Sequence, residues 1–123
     1  MLMVNLLEEG LLLFNDGKFY EAHEVWEDLW RITLDPPLKT CYQGLIQAAV
    51  GLHHLSRRNR VGAGSQLAKA MHNLEAGALT TGLDIRDLIR QLESVLSGMP
   101  DGSDGPEDRP YVLPRLLRIA RLK

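Results

Sequence analysis

The clearest helical signal in the chain lies at residues 19–30. This segment reads Phe19-Tyr20-Glu21-Ala22-His23-Glu24-Val25-Trp26-Glu27-Asp28-Leu29-Trp30. Its apolar side chains recur every three or four residues, which places them on one face of an α-helix and the most acidic positions on the other. The segment therefore predicts an amphipathic helix over about residues 18–32 that packs on other helices through its apolar face.

The neighbouring segments continue the helical pattern on both sides. A run rich in Leu and Glu at residues 3–14 ends at Asn15-Asp16-Gly17, whose residue types tolerate left-handed backbone. Asp35-Pro36-Pro37 ends the second helix and offers an N-cap with prolines for the next first turn. The third helix, predicted over 38–57, is apolar on nearly every side, so we expect it to be central.

Two more helices complete the predicted fold. One follows Asn59, and the other, capped by Thr81 or Asp84, ends before Gly98. No segment alternates apolar and polar residues with a period of two, which argues against strands. A shift of 42 residues places Leu13 on Leu55 and suggests a repeated helix pair. The prediction is an all-α fold, a compact bundle of about five helices with a tetratricopeptide-like helix-turn-helix corner.

Length and composition limit the classes of protein to consider. The chain has 123 residues, 45% hydrophobic residues, a formal net charge of −2 and one cysteine. One cysteine excludes an internal disulfide, and Cys41 is expected to be buried and inert rather than a nucleophile. The N-terminus lacks the basic start of a secretory signal, and no apolar run is long enough for a membrane span. These features predict a cytoplasmic protein without a nucleic-acid partner.

The charges are unevenly distributed and suggest three regions. Residues 1–97 are predicted to form the helical domain, 98–110 a linker rich in Pro, Gly and Asp, and 111–123 a basic C-terminal segment. Residues 1–35 hold eight acidic and two basic side chains, whereas 111–123 hold four basic and no acidic ones. We expect the basic segment to form a short helix that docks on the acidic first half. The alternative is an amphipathic segment that contacts a partner or anionic lipid.

Polar residues on the second and third helices form the candidate site. His23, Glu27 and Trp30 are spaced at i, i+4 and i+7, at the border of the apolar face. On the third helix, Gln43, Gln47 and His54 form the polar strip of an otherwise apolar cylinder. Half-buried polar groups need partners, since an unpaired one costs about 1–3 kcal/mol. The two strips are therefore expected to face each other across a groove between these helices.

The same segments resemble a known family. Residues 14–30, with a histidine, a glutamate four positions later and then a tryptophan, are similar to the first signature of domain-of-unknown-function family 309. Residues 43–49 and 59–63 are similar to its second and third signatures, so the resemblance covers about residues 5–78. The resemblance implies an all-α fold with no established activity. It also implies that His23, Glu27, Trp30, Gln43 and Gln47 are characteristic positions of the family.

Three functions remain open for the polar residues. In the first, they form a structural hydrogen-bond network. In the second, the groove binds a small ligand or a protein partner, with His23 and Glu27 orienting it, Trp30 as a wall, and Gln43 and Gln47 giving specificity. In the third, His23, Glu27 and His54 hold a divalent metal in a hydrolase. A binding or interaction module is the preferred prediction, and a homo-oligomer is a further expectation for its partner.

Overall fold

The computed structural model describes residues 5–99 and 119–122. The helices in these ranges are α1 (Leu6–Asn15), α2 (Phe19–Ile32), α3 (Pro36–Ser56), α4 (Arg60–Leu74), a 3-10 turn (Glu75–Gly77) and α5 (Ile85–Gly98). Apart from an isolated bridge between Leu83 and Arg121, the described ranges contain no strand. The all-α, five-helix prediction is confirmed, whereas the tetratricopeptide-like character of one corner stays a prediction. Of the linker expected at 98–110, Gly98 is the last residue of α5. Residues 100–110 of that linker and residues 111–118 lie outside the described residues.

The ends of the helices follow from side-chain caps and turns. A side-chain oxygen before the helix accepts a hydrogen bond from the backbone N–H three residues later at Asn5, Asp35, Asn59 and Asp84. At the α1–α2 turn, Gly17 has a φ of +80°, the left-handed backbone that the sequence predicted. The third helix begins at Pro36 rather than Leu38, because proline fits the first helical turn.

A buried tryptophan joins α1 to α2. Trp26 is fully buried, and its indole Nε1–H donates to the Leu7 carbonyl oxygen across 3.2 Å. The ring lies directly on Gly10, where a Cβ atom would overlap it. Phe14 completes this contact, since its ring centroid is 5.7 Å from that of Trp26 and 5.1 Å from that of Phe19. The apolar face of the second helix therefore packs as its periodicity predicted.

The third helix is the centre of the bundle. It packs against α2 on one side and most extensively against α4 on the other. Two glycines permit the approach of α4: a Cβ at Gly44 would lie 2.8 Å from the Leu74 nitrogen, and one at Gly51 would lie 2.7 Å from Leu67 Cδ2. The core formed around α3 includes the fully buried Leu45, Leu52, Leu55, Leu67 and Leu74. No helix in the described ranges is long and apolar enough to cross a bilayer.

The described end of the basic segment lies against the helical body. Ile119 is 2% exposed and belongs to the hydrophobic core. Arg121 forms an ion pair with Glu8 of α1, which is one of the acidic residues of the first half. Residues 119–122 are not helical, and Arg121 forms the bridge to Leu83.

We expect Gly10→Ala to lower the free energy of unfolding by about 1–3 kcal/mol, because the added methyl group would displace the Trp26 ring. Gly64→Ala is the matched control: a Cβ at this α4 position meets nothing within 4 Å. Replacing that helical glycine should stabilise the fold by roughly 0.5–1 kcal/mol. Urea titrations followed by circular dichroism measure both values. A Gly10→Ala variant as stable as the wild type would contradict the packing of Trp26 on α1.

Candidate functional site

His23 and Glu27 form the pair that their spacing predicted. His23 Nε2 lies 3.2 Å from Glu27 Oε1, and the two side chains are 16% and 41% exposed. His23 Nδ1 lies 2.6 Å from the Tyr20 carbonyl oxygen. A carbonyl oxygen only accepts hydrogen bonds, so Nδ1 carries a proton. The Glu27 contact is therefore a charge-assisted hydrogen bond when Nε2 is protonated as well.

Tyr20 links this pair to α3. Its ring centroid is 4.9 Å from that of His23 and 5.2 Å from that of His53. His53 rather than His54 therefore stands beside the aromatic residue of α2. The two histidines are neighbours on one helix and their rings lie 6.4 Å apart. The sequence placed His54 in the candidate site, whereas in the structure His53 is the histidine of α3 that lies beside Tyr20 of α2.

The surroundings of His53 disfavour its charged form. Burial lowers the pKa of His53 from its ordinary value of 6.5, and the charges of Arg57, His54 and His23 lower it further. Glu21 acts on this pKa in the opposite direction. Burial, together with the charges of Arg57, His54 and His23, thus favours the neutral form of His53.

Trp30 and Gln43 meet at a pocket near the α2–α3 turn. The pocket has a volume of about 280 Å³ and is lined by Trp30, Leu34, Pro36, Lys39, Thr40 and Gln43. Lys39 Nζ lies 4.1 Å from the centroid of the Trp30 ring, within the range of a cation–π interaction. Leu34 on the pocket rim is 91% exposed. We call this site the corner pocket.

The other two predicted site residues have partners elsewhere. Gln47 Oε1 accepts a hydrogen bond of 2.7 Å from Asn73 Nδ2 on α4. His54 Nδ1 accepts from Asn59 Nδ2 across 3.4 Å, at the turn between α3 and α4. The six predicted residues thus divide between the His23–Glu27 pair, the corner pocket and contacts toward α4, instead of lining a single groove.

The structure gives no support to the metal-dependent alternative. The described residues contain no group of three or more His, Cys, Asp or Glu side chains that could hold a metal ion. The predicted triad of His23, Glu27 and His54 is therefore not assembled there. Cys41 is not an activated nucleophile either, because burial raises the pKa of its thiol to about 11, with a backbone hydrogen bond from Gly77 opposing the change.

Comparison with known proteins supports the family resemblance that the sequence suggested. Residues 7–65 match the family model described as "Domain of unknown function (DUF309)", and this range includes all six predicted site residues. The match spans just under half of the chain. No solved structure matches the chain.

Two relatives with similar sequences are longer than this chain. An "Uncharacterized protein" of Aquifex aeolicus (strain VF5) is 31% identical over 103 residues, which cover 83% of this chain and 31% of the relative. "Uncharacterized protein YpuF" of Bacillus subtilis (strain 168) is 35% identical over 82 residues, which cover 63% of this chain and 46% of the relative. The chain thus aligns with less than half of each relative.

Within residues 7–65, which match the family model, sequence reasoning missed Tyr20, Lys39 and His53. Lys39 stands one helical turn before Gln43, a spacing that places both side chains on one face of α3. That spacing was a usable signal for Lys39. The position of His53 had no such signal, because it depends on how far α3 is rotated about its axis relative to α2.

We expect His23→Ala to lower the free energy of unfolding by about 1–3 kcal/mol, because it removes a side-chain partner of the Tyr20 carbonyl and of Glu27. Glu27 keeps its ion pair with Arg31. The measurement is a thermal melt of chelator-treated protein, repeated with Zn²⁺. A midpoint raised by Zn²⁺ in the wild type, and not in the variant, would instead support the metal-dependent alternative.

We expect the stability of the wild type to fall as the pH drops from 7 to 5. A histidine whose pKa is lowered on folding takes up protons more readily when unfolded, so its share of the stability is present above about pH 6.5 and lost below it. In thermal melts, the His53→Gln variant should show a smaller change in melting midpoint between pH 7 and pH 5. His72→Gln changes an exposed histidine of α4 and is the control. Equal pH profiles for the wild type and His53→Gln would contradict the lowered pKa.

Proposed function

We propose that the DUF309 domain of this chain is a binding module that takes up a short segment of a partner protein in the corner pocket. The observation that carries the proposal is the pocket itself, where Trp30 and Gln43 meet the Lys39 ammonium group. Ligand sites typically combine apolar walls with a few fixed polar groups.

Part of the lining of the corner pocket is apolar. Trp30, Leu34 and Pro36 supply it, and both Leu34 and the neighbouring Ile32 are largely exposed, at 91% and 69%. Exposed aliphatic side chains at the rim of a pocket favour a partner that covers them. The volume of about 280 Å³ suits one side chain and its adjoining backbone rather than a large cofactor.

The rest of the lining carries hydrogen-bond donors. Lys39 brings a positive charge, and Thr40 and Gln43 add a hydroxyl and an amide. The Lys39 ammonium group already lies over the Trp30 ring, which fixes its position at the pocket. A carboxylate next to an apolar side chain is the group that this combination of apolar and polar lining complements. The proposed ligand is therefore an apolar residue with a neighbouring carboxylate, either a chain terminus or an acidic side chain.

The His23–Glu27 pair has a supporting role in this proposal. Both residues precede Trp30 on α2 by one or two helical turns, and Tyr20 connects them to His53 of α3. These contacts fix how α2 lies on α3, which in turn fixes the distance between Trp30 and Gln43. Gln47 acts through its hydrogen bond to Asn73 by holding α4 in place.

N-acetyl-leucine is the expected minimal ligand, because it joins an apolar side chain to a carboxylate. At about −0.3 kcal/mol per heavy atom, such a fragment should bind at roughly millimolar concentration. Titration followed by ¹H–¹⁵N NMR should shift the Trp30 indole signal and the amides of Thr40 and Gln43. The neutral amide of the same compound should bind several-fold more weakly. Equal shifts with both compounds, or none at these residues, would contradict the proposal.

Lys39→Met tests the role of the charge while keeping the aliphatic part of the side chain. It should abolish the preference for the carboxylate and leave the fold intact. Lys69→Met is the matched control, since Lys69 is exposed on α4 and loses the same charge. Trp30→Ala should weaken the binding of both compounds, because it removes the apolar wall of the pocket.

A further inference from the structure

A second candidate site lies where residues 119–122 contact both α1 and the turn before α5. It is formed by Glu8 and Asn15 of α1 and by the backbone of residues 82–84, and we call it the α1/α5 cleft. In the structure it holds residues 119–122 of the chain itself. These residues are separated from the described end of α5 by residues 100–118.

Asn15 binds the backbone of Ile119 through both ends of its amide. Its Nδ2 donates to the Ile119 carbonyl oxygen across 3.0 Å, and its Oδ1 accepts from the Ile119 N–H across 2.7 Å. A side-chain amide bonded to both polar groups of one residue takes the place of a neighbouring β-strand. This contact uses only the backbone N–H and carbonyl oxygen of one residue in an extended segment. It therefore does not depend on which residues flank Ile119.

The turn before α5 continues the same pattern. The Asp84 N–H donates to the Ala120 carbonyl oxygen across 2.7 Å, and the Leu122 N–H donates to the Gly82 carbonyl oxygen across 2.9 Å. These two bonds bracket the antiparallel bridge between Leu83 and Arg121. Main-chain pairing of this kind is how many domains add an extended peptide to an existing edge.

Two side chains of the bound segment are recognised individually. Ile119 is 2% exposed and enters the core, and Arg121 forms an ion pair with Glu8. Between them Ala120 is exposed. Backbone hydrogen bonds give such a site affinity, and alternate side chains give it specificity. The specificity here is for isoleucine followed two residues later by arginine.

We propose that the α1/α5 cleft is a peptide-binding site for an extended Ile-x-Arg segment of another protein, and that the chain's own Ile119-Ala120-Arg121 is its internal competitor. Within the described part of the chain, residues 119–122 are held in the cleft through backbone groups, one aliphatic side chain and one arginine. A separate peptide with these groups can make the same contacts. This ligand is basic and extended, so the site is distinct in chemistry and position from the corner pocket.

Competition within the chain sets the conditions for binding. A tethered segment acts at an effective concentration on the order of millimolar. A free peptide of the same sequence must therefore reach a comparable concentration to displace the tail. A variant whose tail no longer fits should bind the peptide without this penalty.

The test uses the full chain and a capped synthetic peptide with the sequence of residues 116–122. In NMR titrations, Ile119→Asp should bind the peptide at least about tenfold more tightly than the wild type, because the wild-type tail competes. Binding should shift the Asn15 side-chain and Asp84 backbone signals. Adding Asn15→Ala to the Ile119→Asp chain should weaken binding at least about tenfold, since both amide hydrogen bonds are lost.

A charge exchange keeps the proposal testable if Ile119→Asp fails to fold. The Glu8→Arg chain should prefer a peptide with Glu in place of Arg121 over the unchanged peptide. Glu9→Arg is the matched control: it makes the same charge change at the next, exposed position and should keep the original preference.

Three outcomes would overturn the proposal. The first is a peptide that leaves the Asn15 and Asp84 signals unchanged in the Ile119→Asp chain. The second is equal binding with and without Asn15→Ala, or an unchanged preference in Glu8→Arg. The third is that the peptide, at several millimolar, fails to displace residues 119–122 of the wild type. Those residues would then be a fixed part of the fold.

Discussion

The close contact between α3 and α4 is the constraint on which the rest of the structure depends. Gly44 and Gly51 have no side chains to keep the helices apart, so Leu74 and Leu67 pack directly on the backbone of α3. This approach also brings Asn73 within hydrogen-bonding distance of Gln47. The polar strip of α3 is thereby divided, since Gln47 faces α4 while Gln43 stays exposed beside Trp30. Because of this division, Gln43 lines the corner pocket and Gln47 does not.

The fold could be predicted largely from the sequence, because its signals are local. Asn59 and Asp35 cap helices through bonds to residues three positions away, and Gly17 supplies the left-handed turn. The site was predicted only in part. His23 and Glu27 meet because one helix fixes their spacing, whereas partners across helices depend on how each helix is rotated. A rotation of one residue, about 100°, decides between His53 and His54.

The two proposed sites differ in their relation to the family. The corner pocket lies wholly within residues 7–65, which match the DUF309 family model. The α1/α5 cleft takes Glu8 and Asn15 from that range, whereas residues 82–84 and the segment 119–122 that it holds lie outside it. A function of the pocket is therefore a property of the matched domain. A function of the cleft depends on how this particular chain continues after α4.

The two tryptophans have very different surroundings. Their fluorescence can therefore report separately on the corner pocket and on the packed core. Trp26 is sealed between α1 and α2, while Trp30 is partly exposed beneath a lysine. Acrylamide or iodide in solution should quench the emission of Trp30 and leave that of Trp26 until the bundle opens. Collisional quenching can thus separate events at the corner of the molecule from loss of the fold, without any added dye.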